Sequence, residues 1–456
     1  MIIVNKKILK YMLNTSVKSM LGLQYLTNIN KAWSIDEKEY YKFQQNLFKK
    51  MYSHAICQVP YYMENSKYYP ILSDEISCHE FLKTLPIINK RTILENNENF
   101  VSLKKRLWCT THTTSGTTGT PLTLSSTPFE RALSYAILDN WYKKLSGRSV
   151  SPPLVALSGF MTPGKNEDLY WSAFWGGHLF LNIYGINSAN AEKIINLIKT
   201  RQNAIFFGYA SALAELARTI EGKFDDYKNN FVAVSTSEVL TPYYRELIEL
   251  HMCRKVYDQY GSQEGSHLAL ECEAGHMHVH PFLGIVEILN DFNEPCLNGE
   301  MGRVVVTGFK KSMPLIRYEI GDSAISLNGP CSCGLSWPII GALVGRSEDL
   351  VITPDGRRIG YLNFHSTKNL KGIVESQLIQ IGYTSFVFKL VLPPDLHRNA
   401  ENTRLNELLI TEQIRMRLGY DVNVEYEYLD RIPREGGRNK FKAVVVKFNH
   451  HNKDMS

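Results

Sequence analysis

The stretch Thr111–Ser126 reads THTTSGTTGTPLTLSS. From Thr110 to Thr127 it carries no Lys, Arg, Asp or Glu, and it crowds small hydroxyls around Gly116 and Gly119. Glycine adopts positive φ at no steric cost and lets a backbone come close to a ligand. Successive N–H groups in such a turn form a concave anion site. The hydroxyls of Thr113, Thr114, Ser115, Thr117 and Thr118 add neutral donors. This composition suits a loop that holds phosphates. No Gly-Lys-Ser/Thr closes it, so it is not of the Walker type. A solvated Ser/Thr/Gly linker has the same composition, and the surrounding chain must separate the two readings.

Downstream of the stretch the hydrophobic pattern alternates. RALSYAILDNWYKKL puts Leu133, Ile137 and Trp141 at helical spacing. SPPLVALSGFM, NAIFFGYAS, NFVAVSTSEVL and RKVYDQYG read as strands; NAEKIINLIKT, ALAELARTIEG and PYYRELIELHM read as helices. Strands alternating with helices of this length predict βαβ units and a largely parallel sheet. Residues 1–100 read as a helical lead-in, and after Pro281 the texture changes to strands and turns such as IVEIL and GRVVVTGF. The last hundred or so residues form an α+β pattern of their own. The predicted class is therefore α/β, with a large N-terminal domain over 1–345 and a small α+β domain over 346–456.

Composition bounds the function. The chain has 456 residues, 44% hydrophobic and 21% charged, which fits a large globular core. No apolar run is long enough to span a bilayer. The basic, interrupted N-terminus does not read as a signal peptide, and eight cysteines suit a reducing compartment, so a cytoplasmic location is expected. The formal charge of +6 suits an anionic partner and a plain soluble enzyme equally. No nucleic-acid partner and no membrane insertion are expected, and the oligomeric state is open.

The motifs decide between loop and linker. TTSGTTGTPL (Thr113–Leu122) resembles the phosphate loop of the adenylate-forming superfamily of acyl-CoA synthetases, nonribosomal adenylation domains and luciferases. STSEVL, YGSQEG, GEMGRVVVTGFKKSMPLIRYEIGD, GRSEDLVITPDGRRI and GGRNKFKAVVV follow in that superfamily's order. SHAICQVPYYMEN, LPIINKRTI, FFGYASALAELA and CSCGLSWPIIGALVGR resemble its phenylacetate–CoA ligase-like branch, in particular the CapK-type members.

That resemblance implies an ATP-dependent, AMP-forming ligase that activates a carboxylic acid. The loop Thr113, Thr114, Ser115, Gly116, Thr117, Thr118 and Gly119 would hold the β- and γ-phosphates. Many members carry a lysine directly after the loop's proline; here Leu122 follows Pro121. Ser237 and Glu238 would contact adenine, with Tyr260, Gly261 and Ser262 beside it. Glu264 would help hold Mg²⁺, a hard cation that prefers oxygen ligands. Asp322 would accept from the ribose hydroxyls, Arg346 would reach the ribose or phosphate, and Arg317 would support them. Lys440 is the candidate catalytic lysine, although Asn439 stands where members usually have glycine and Lys442 is nearby. The resemblance further implies that the small domain is a mobile lid, hinged near Glu348.

A second constellation is independent of these. ECEAGHMHVH and CSCG supply Cys272, His278, Cys331 and Cys333, enough for a closed Cys₃His zinc site. His278 is taken over its neighbours because it lies nine residues before Glu287, a spacing the family shares. Reduced thiols and surface histidines are the alternative. The acceptor stays open between CoA and an amine on a sugar nucleotide or polysaccharide unit. A non-catalytic nucleotide-binding homologue is the reading from a different class.

Overall fold

The protein was analysed as a computed structural model. It describes residues 20–113, 122–157, 169–172, 177–182, 185–262, 264–265, 267–346, 351–352, 354, 358–359, 375–392, 404, 407–412, 414–415, 421–433 and 444–447. They fall into two compact units. One contains residues up to 240, 244–320 and 324–342; the other contains 241–243, 321–323 and residues from 343 onward.

The first unit is organised by one mixed sheet, of which residues 321–323 and 343–346 are grouped with the second unit. Its strands are β3 (Leu154–Leu157), β4 (Tyr170–Ser172), β5 (Leu179–Leu181), β6 (Ile205–Gly208), β7 (Val232–Thr236), β8 (Val256–Gly261), β9 (Leu268–Glu271), β10 (Met277–Val279), β11 (Gly284–Leu289), β12 (Met301–Gly308), β13 (Tyr318–Ser326) and β14 (Ile339–Arg346). Among the described residues their order is β11-β12-β13-β14-β10-β9-β8-β7-β6-β3-β5-β4. The middle run β5-β3-β6-β7-β8 is parallel, as the alternating pattern predicts. β8 and β9 then pair antiparallel, and the sheet continues into the β-rich part beyond Pro281.

The parallel strands read as apolar runs because both their faces are covered. Val232, Ala233 and Val234 are all buried, as are Ile205 and Phe206. Phe206, Phe224 and Phe231 close one side with ring centroids 5.2–6.3 Å apart. Each fully buried ring contributes about 2–3 kcal/mol.

The helix Pro128–Ser146 opens with a capping box. The Thr127 hydroxyl accepts from the Glu130 N–H, and the Glu130 carboxylate accepts from the Thr127 N–H. Gly147, at φ 69°, terminates it in the left-handed conformation. The lead-in is helical as expected, with Glu37–Gln58 its longest element.

The second unit has its own core. Strands β17 (Glu375–Gln380), β18 (Ser385–Val391), β19 (Asn423–Tyr428) and β20 (Val444–Val446) form a sheet of order β19-β18-β17-β20. Phe386, Phe388 and Leu390 pack there with Ile410 and Ile414.

Candidate active site and metal-binding cluster

The Thr/Ser/Gly stretch is the connection of a β-hairpin. β1 (Thr110–Thr113) pairs antiparallel with β2 (Thr123–Ser126), in register from Thr110↔Ser126 to Thr113↔Thr123. Thr113 ends the first arm; Thr114 to Gly119 lie outside the described residues. Leu122 is 1% exposed, so its apolar side chain anchors the second arm in the core.

Two of the predicted nucleotide segments emerge side by side. β7 and β8 are adjacent and parallel, with Thr236 level with Gln259. Ser237 therefore leaves the sheet next to Tyr260 and Gly261. In an open α/β sheet, ligands bind beyond the carboxyl ends of such strands. Ser237 holds φ 65°, a left-handed backbone that costs a non-glycine residue about 1 kcal/mol or more. The Glu238 carboxylate accepts from the Ser211 N–H at 3.0 Å, which fixes it at the first turn of the helix Ala210–Thr219. Tyr260 is buried, its ring 4.6 Å from that of His267.

Glu264 follows β8 and is half-buried. Its backbone carbonyl accepts from the Lys310 ammonium at 2.5 Å, and the same ammonium donates to the Ser126 hydroxyl at 3.1 Å. Lys310 thus ties the base of the hairpin to the turn that carries Glu264. Sequence reasoning missed it, because a Lys-Lys pair between strands reads as surface charge. Burial, opposed by the nearby Glu130 and Glu264 carboxylates, pulls its pKa down to about 8.

Glu130 braces the same loop from the other side. One carboxylate oxygen serves the capping box, and the other accepts from the N–H groups of Lys311 and Ser312 at 2.9 and 3.0 Å. Burial raises its pKa, but the hydrogen bonds from Ser312 and Thr127 outweigh it and keep the carboxylate charged.

Asp322 lies half-buried on β13, and Arg346 is the last residue of β14. Arg317 is 3% exposed and paired through two nitrogens with Glu287, at 3.1 and 3.3 Å. It also donates to the Leu85 carbonyl at 2.8 Å, so its support is to the lead-in. Glu348 and Lys440 lie outside the described residues.

The four predicted metal ligands come together. The ligand atoms of Cys272, His278, Cys331 and Cys333 all lie within 4.8 Å of one another. The Cys272 and Cys331 sulfurs are 3.7 Å apart, and Cys333 Sγ is 3.4 Å from His278 Nε2. A tetrahedral site with Zn–S bonds near 2.3 Å has edges of about 3.8 Å. His278 Nδ1 is 2.9 Å from the Trp337 carbonyl, which makes Nδ1 the protonated nitrogen and leaves Nε2 for a metal. Against the opposing effect of burial, hydrogen bonds from Cys333 and His276 hold the Cys331 thiol below the usual range. The donor set fits zinc. His276 approaches Cys331 at 3.1 Å from outside the foursome.

Comparisons with known proteins agree with this architecture. Residues 351–447 match the CapK C-terminal domain. Over 419 residues, 89% of this chain and 90% of the relative, the sequence is 23% identical to Protein CapK of Staphylococcus aureus. It is 24% identical over 332 residues to phenylacetate-coenzyme A ligase of Thermus thermophilus, covering 68% of this chain and 71% of that one. Among solved structures, 2-hydroxyisobutyryl-CoA ligase in the postadenylation state with 2-HIB-AMP aligns with a TM-score of 0.70 at 17% identity, over 92% of both chains. An open conformation of that enzyme with 2-HIB-AMP and CoA aligns at 0.54 and 18% identity, over 92% of this chain and 94% of the other. The adenylate-forming ligase fold expected from the motifs is thereby established, and the chain is a homologue of both CapK and phenylacetate-coenzyme A ligase.

Proposed function

We propose that this homologue of CapK and of phenylacetate-coenzyme A ligase is an ATP-dependent, AMP-forming ligase that activates a carboxylic acid and transfers the acyl group to CoA. The observation that carries the reading is the shared edge of β7 and β8, from which both predicted adenine segments leave in register with Glu264 close behind. The names of the phenylacetate and 2-hydroxyisobutyryl ligases support CoA as the acceptor.

The carboxylate attacks the α-phosphorus of ATP and pyrophosphate leaves; the thiol then attacks the acyl-adenylate carbonyl and AMP leaves. The first step joins two anions, so fixed donors and positive charge must offset their repulsion. Thr113 to Gly119 hold the β- and γ-phosphates, Ser237 and Glu238 present backbone groups to adenine, and Asp322 and Arg346 orient the ribose. Glu264 supplies one carboxylate oxygen, which suits Mg²⁺ because that ion otherwise prefers water and phosphate oxygens. Held there, the ion would supply positive charge against the phosphates. Lys440 carries the positive charge needed as the adenylate forms. Cys272, His278, Cys331 and Cys333 would hold a closed, structural zinc.

The test is pyrophosphate release from ATP over a panel of carboxylic acids, with CoA or with amines. We expect release with some acid, thioester formation with CoA, and at least about tenfold weaker ATP binding by Asp322→Ala. An amide product in place of a thioester would move the acceptor to an amine. Failure of the wild type to bind ATP would end the ligase reading.

A further inference from the structure

The connection from the lead-in to the hairpin carries Leu103, Lys104, Lys105, Arg106, Leu107 and Trp108 in succession. Its large apolar residues do not turn inward. Leu107 is 95% exposed, Trp108 72% and Leu103 52%. The backbone beneath them is fixed. The Ser102 N–H donates to the Ser312 carbonyl at 2.9 Å, the Leu103 N–H donates to the Gln58 carbonyl at 2.8 Å, and the Ser102 hydroxyl lies 2.8 Å from His54 Nε2. Leu107 and Trp108 sit on the single 3₁₀ turn Arg106–Trp108, closed by the Trp108 and Cys109 N–H groups donating to the Lys105 and Arg106 carbonyls. An apolar tip is thus held out in water by a braced backbone, which marks an interaction site.

Positive charge gathers at the same place. The bonds to Gln58 and Ser312 bring the long helix, with Lys50, and the segment of Lys311 up to Lys104 and Lys105. Burial, and then Lys105, Lys50 and Lys104, pull the Lys311 pKa below its usual value. Burial, and then Lys311, Lys105 and Lys104, do the same to His54. Arg106 donates to the Glu98 carbonyl rather than to a carboxylate. The ion pairs formed among the described residues include none of Lys50, Lys104, Lys105, Arg106 and Lys311. The opposing carboxylates are those of Glu98 and of Glu130, and Glu130 is committed to the N–H groups of Thr127, Lys311 and Ser312.

Exposed Trp and Leu among unpaired lysines suit the boundary of an anionic bilayer. The indole and the aliphatic chain enter the headgroup layer, and the ammonium groups stay at its phosphates. A protein partner suits them less, because lysine is depleted from the cores of protein interfaces. We propose that the turn Leu103–Trp108, with Lys50 and Lys311 beside it, docks the protein peripherally on an anionic lipid surface. This does not rest on the ligase reading.

Sedimentation of the full chain with vesicles, in the absence of nucleotide, tests it. One set of vesicles is phosphatidylcholine alone and the other an equimolar mixture with phosphatidylglycerol. The wild type should prefer the mixed vesicles by at least about tenfold and lose the preference in high salt. Each lysine near an anionic surface contributes about fivefold, so Lys104→Gln with Lys105→Gln should weaken binding by about tenfold or more. Leu107→Ser with Trp108→Ser should weaken it by a similar factor, about tenfold, through the lost apolar burial. All four side chains lie at the surface, so an unchanged melting temperature verifies that both double variants fold. Trp108 emission should shift to the blue on the mixed vesicles, and Trp108→Phe should bind without that shift. Equal partition onto the two kinds of vesicle would overturn the proposal, as would binding indifferent to both double variants. Binding of soluble polyglutamate as tight as that of the mixed vesicles, with Leu107 and Trp108 dispensable, would make the partner an acidic protein and reject the membrane.

Discussion

His267 is buried against Tyr260, and neither of its ring nitrogens has a hydrogen-bond partner among the described residues. Burial pulls its pKa down to about 4. In the unfolded chain the imidazole titrates near 6.5, so below that pH the unfolded state takes the proton first. The contribution of this one group is fully present above about pH 6.5 and is lost as pH falls toward 4. Denaturant unfolding at pH 7 and pH 5 should find the wild type losing about 2 kcal/mol more than His267→Phe. Equal losses would dissociate the buried imidazole from acid sensitivity. Single residues were also where the sequence was hardest to read. Lys310 gives no periodic signal, and only the tertiary fold brings it to Ser126 and Glu264. The left-handed Ser237 has no glycine to announce it.

Elements were more legible. Buried parallel strands are short apolar runs, and Val232–Thr236 or Ile205–Gly208 carries that signal directly. The hairpin arms Thr110–Thr113 and Thr123–Ser126 do not, because the first is largely exposed and both are built from hydroxyl residues. Their pairing follows from register across a turn rather than from hydrophobicity. The thiol cluster joins three elements. Cys272 follows β9, His278 lies on β10, and Cys331 and Cys333 sit between β13 and β14. Elemental analysis should find about one zinc per chain, the outcome for four closed ligands. Replacing Cys331 and Cys333 together with serine should abolish it and lower the melting temperature by roughly 5 °C or more. Metal-free protein with unchanged melting would reject the zinc.

At the scale of the whole molecule, the proposed ligase activity has two half-reactions that two variants can separate. If the C-terminal unit is a lid, Lys440 is needed only while the adenylate forms, and the hinge near Glu348 must turn before transfer. Proline fixes φ near −65° and would stiffen that hinge. Lys440→Ala should therefore slow adenylation by about a hundredfold or more while still processing a supplied acyl-adenylate. Glu348→Pro should make adenylate at near wild-type rate and transfer it slowly. Single-turnover assays separate the steps, and equal damage to both in each variant would reject alternation. The lead-in bears on a different timescale. Its Tyr62 hydroxyl donates to the Pro314 carbonyl, 252 residues further along, and the Ser102 N–H donates to Ser312. At ribosomal rates of roughly 5–20 residues per second, the lead-in emerges roughly 13–50 s before the segment it grips. Phe48 and Tyr52 meet Phe81 within the lead-in, but the Tyr62 hydroxyl waits that interval for its Pro314 acceptor. The segment that carries Lys310 is therefore clasped only when translation has passed two-thirds of the chain.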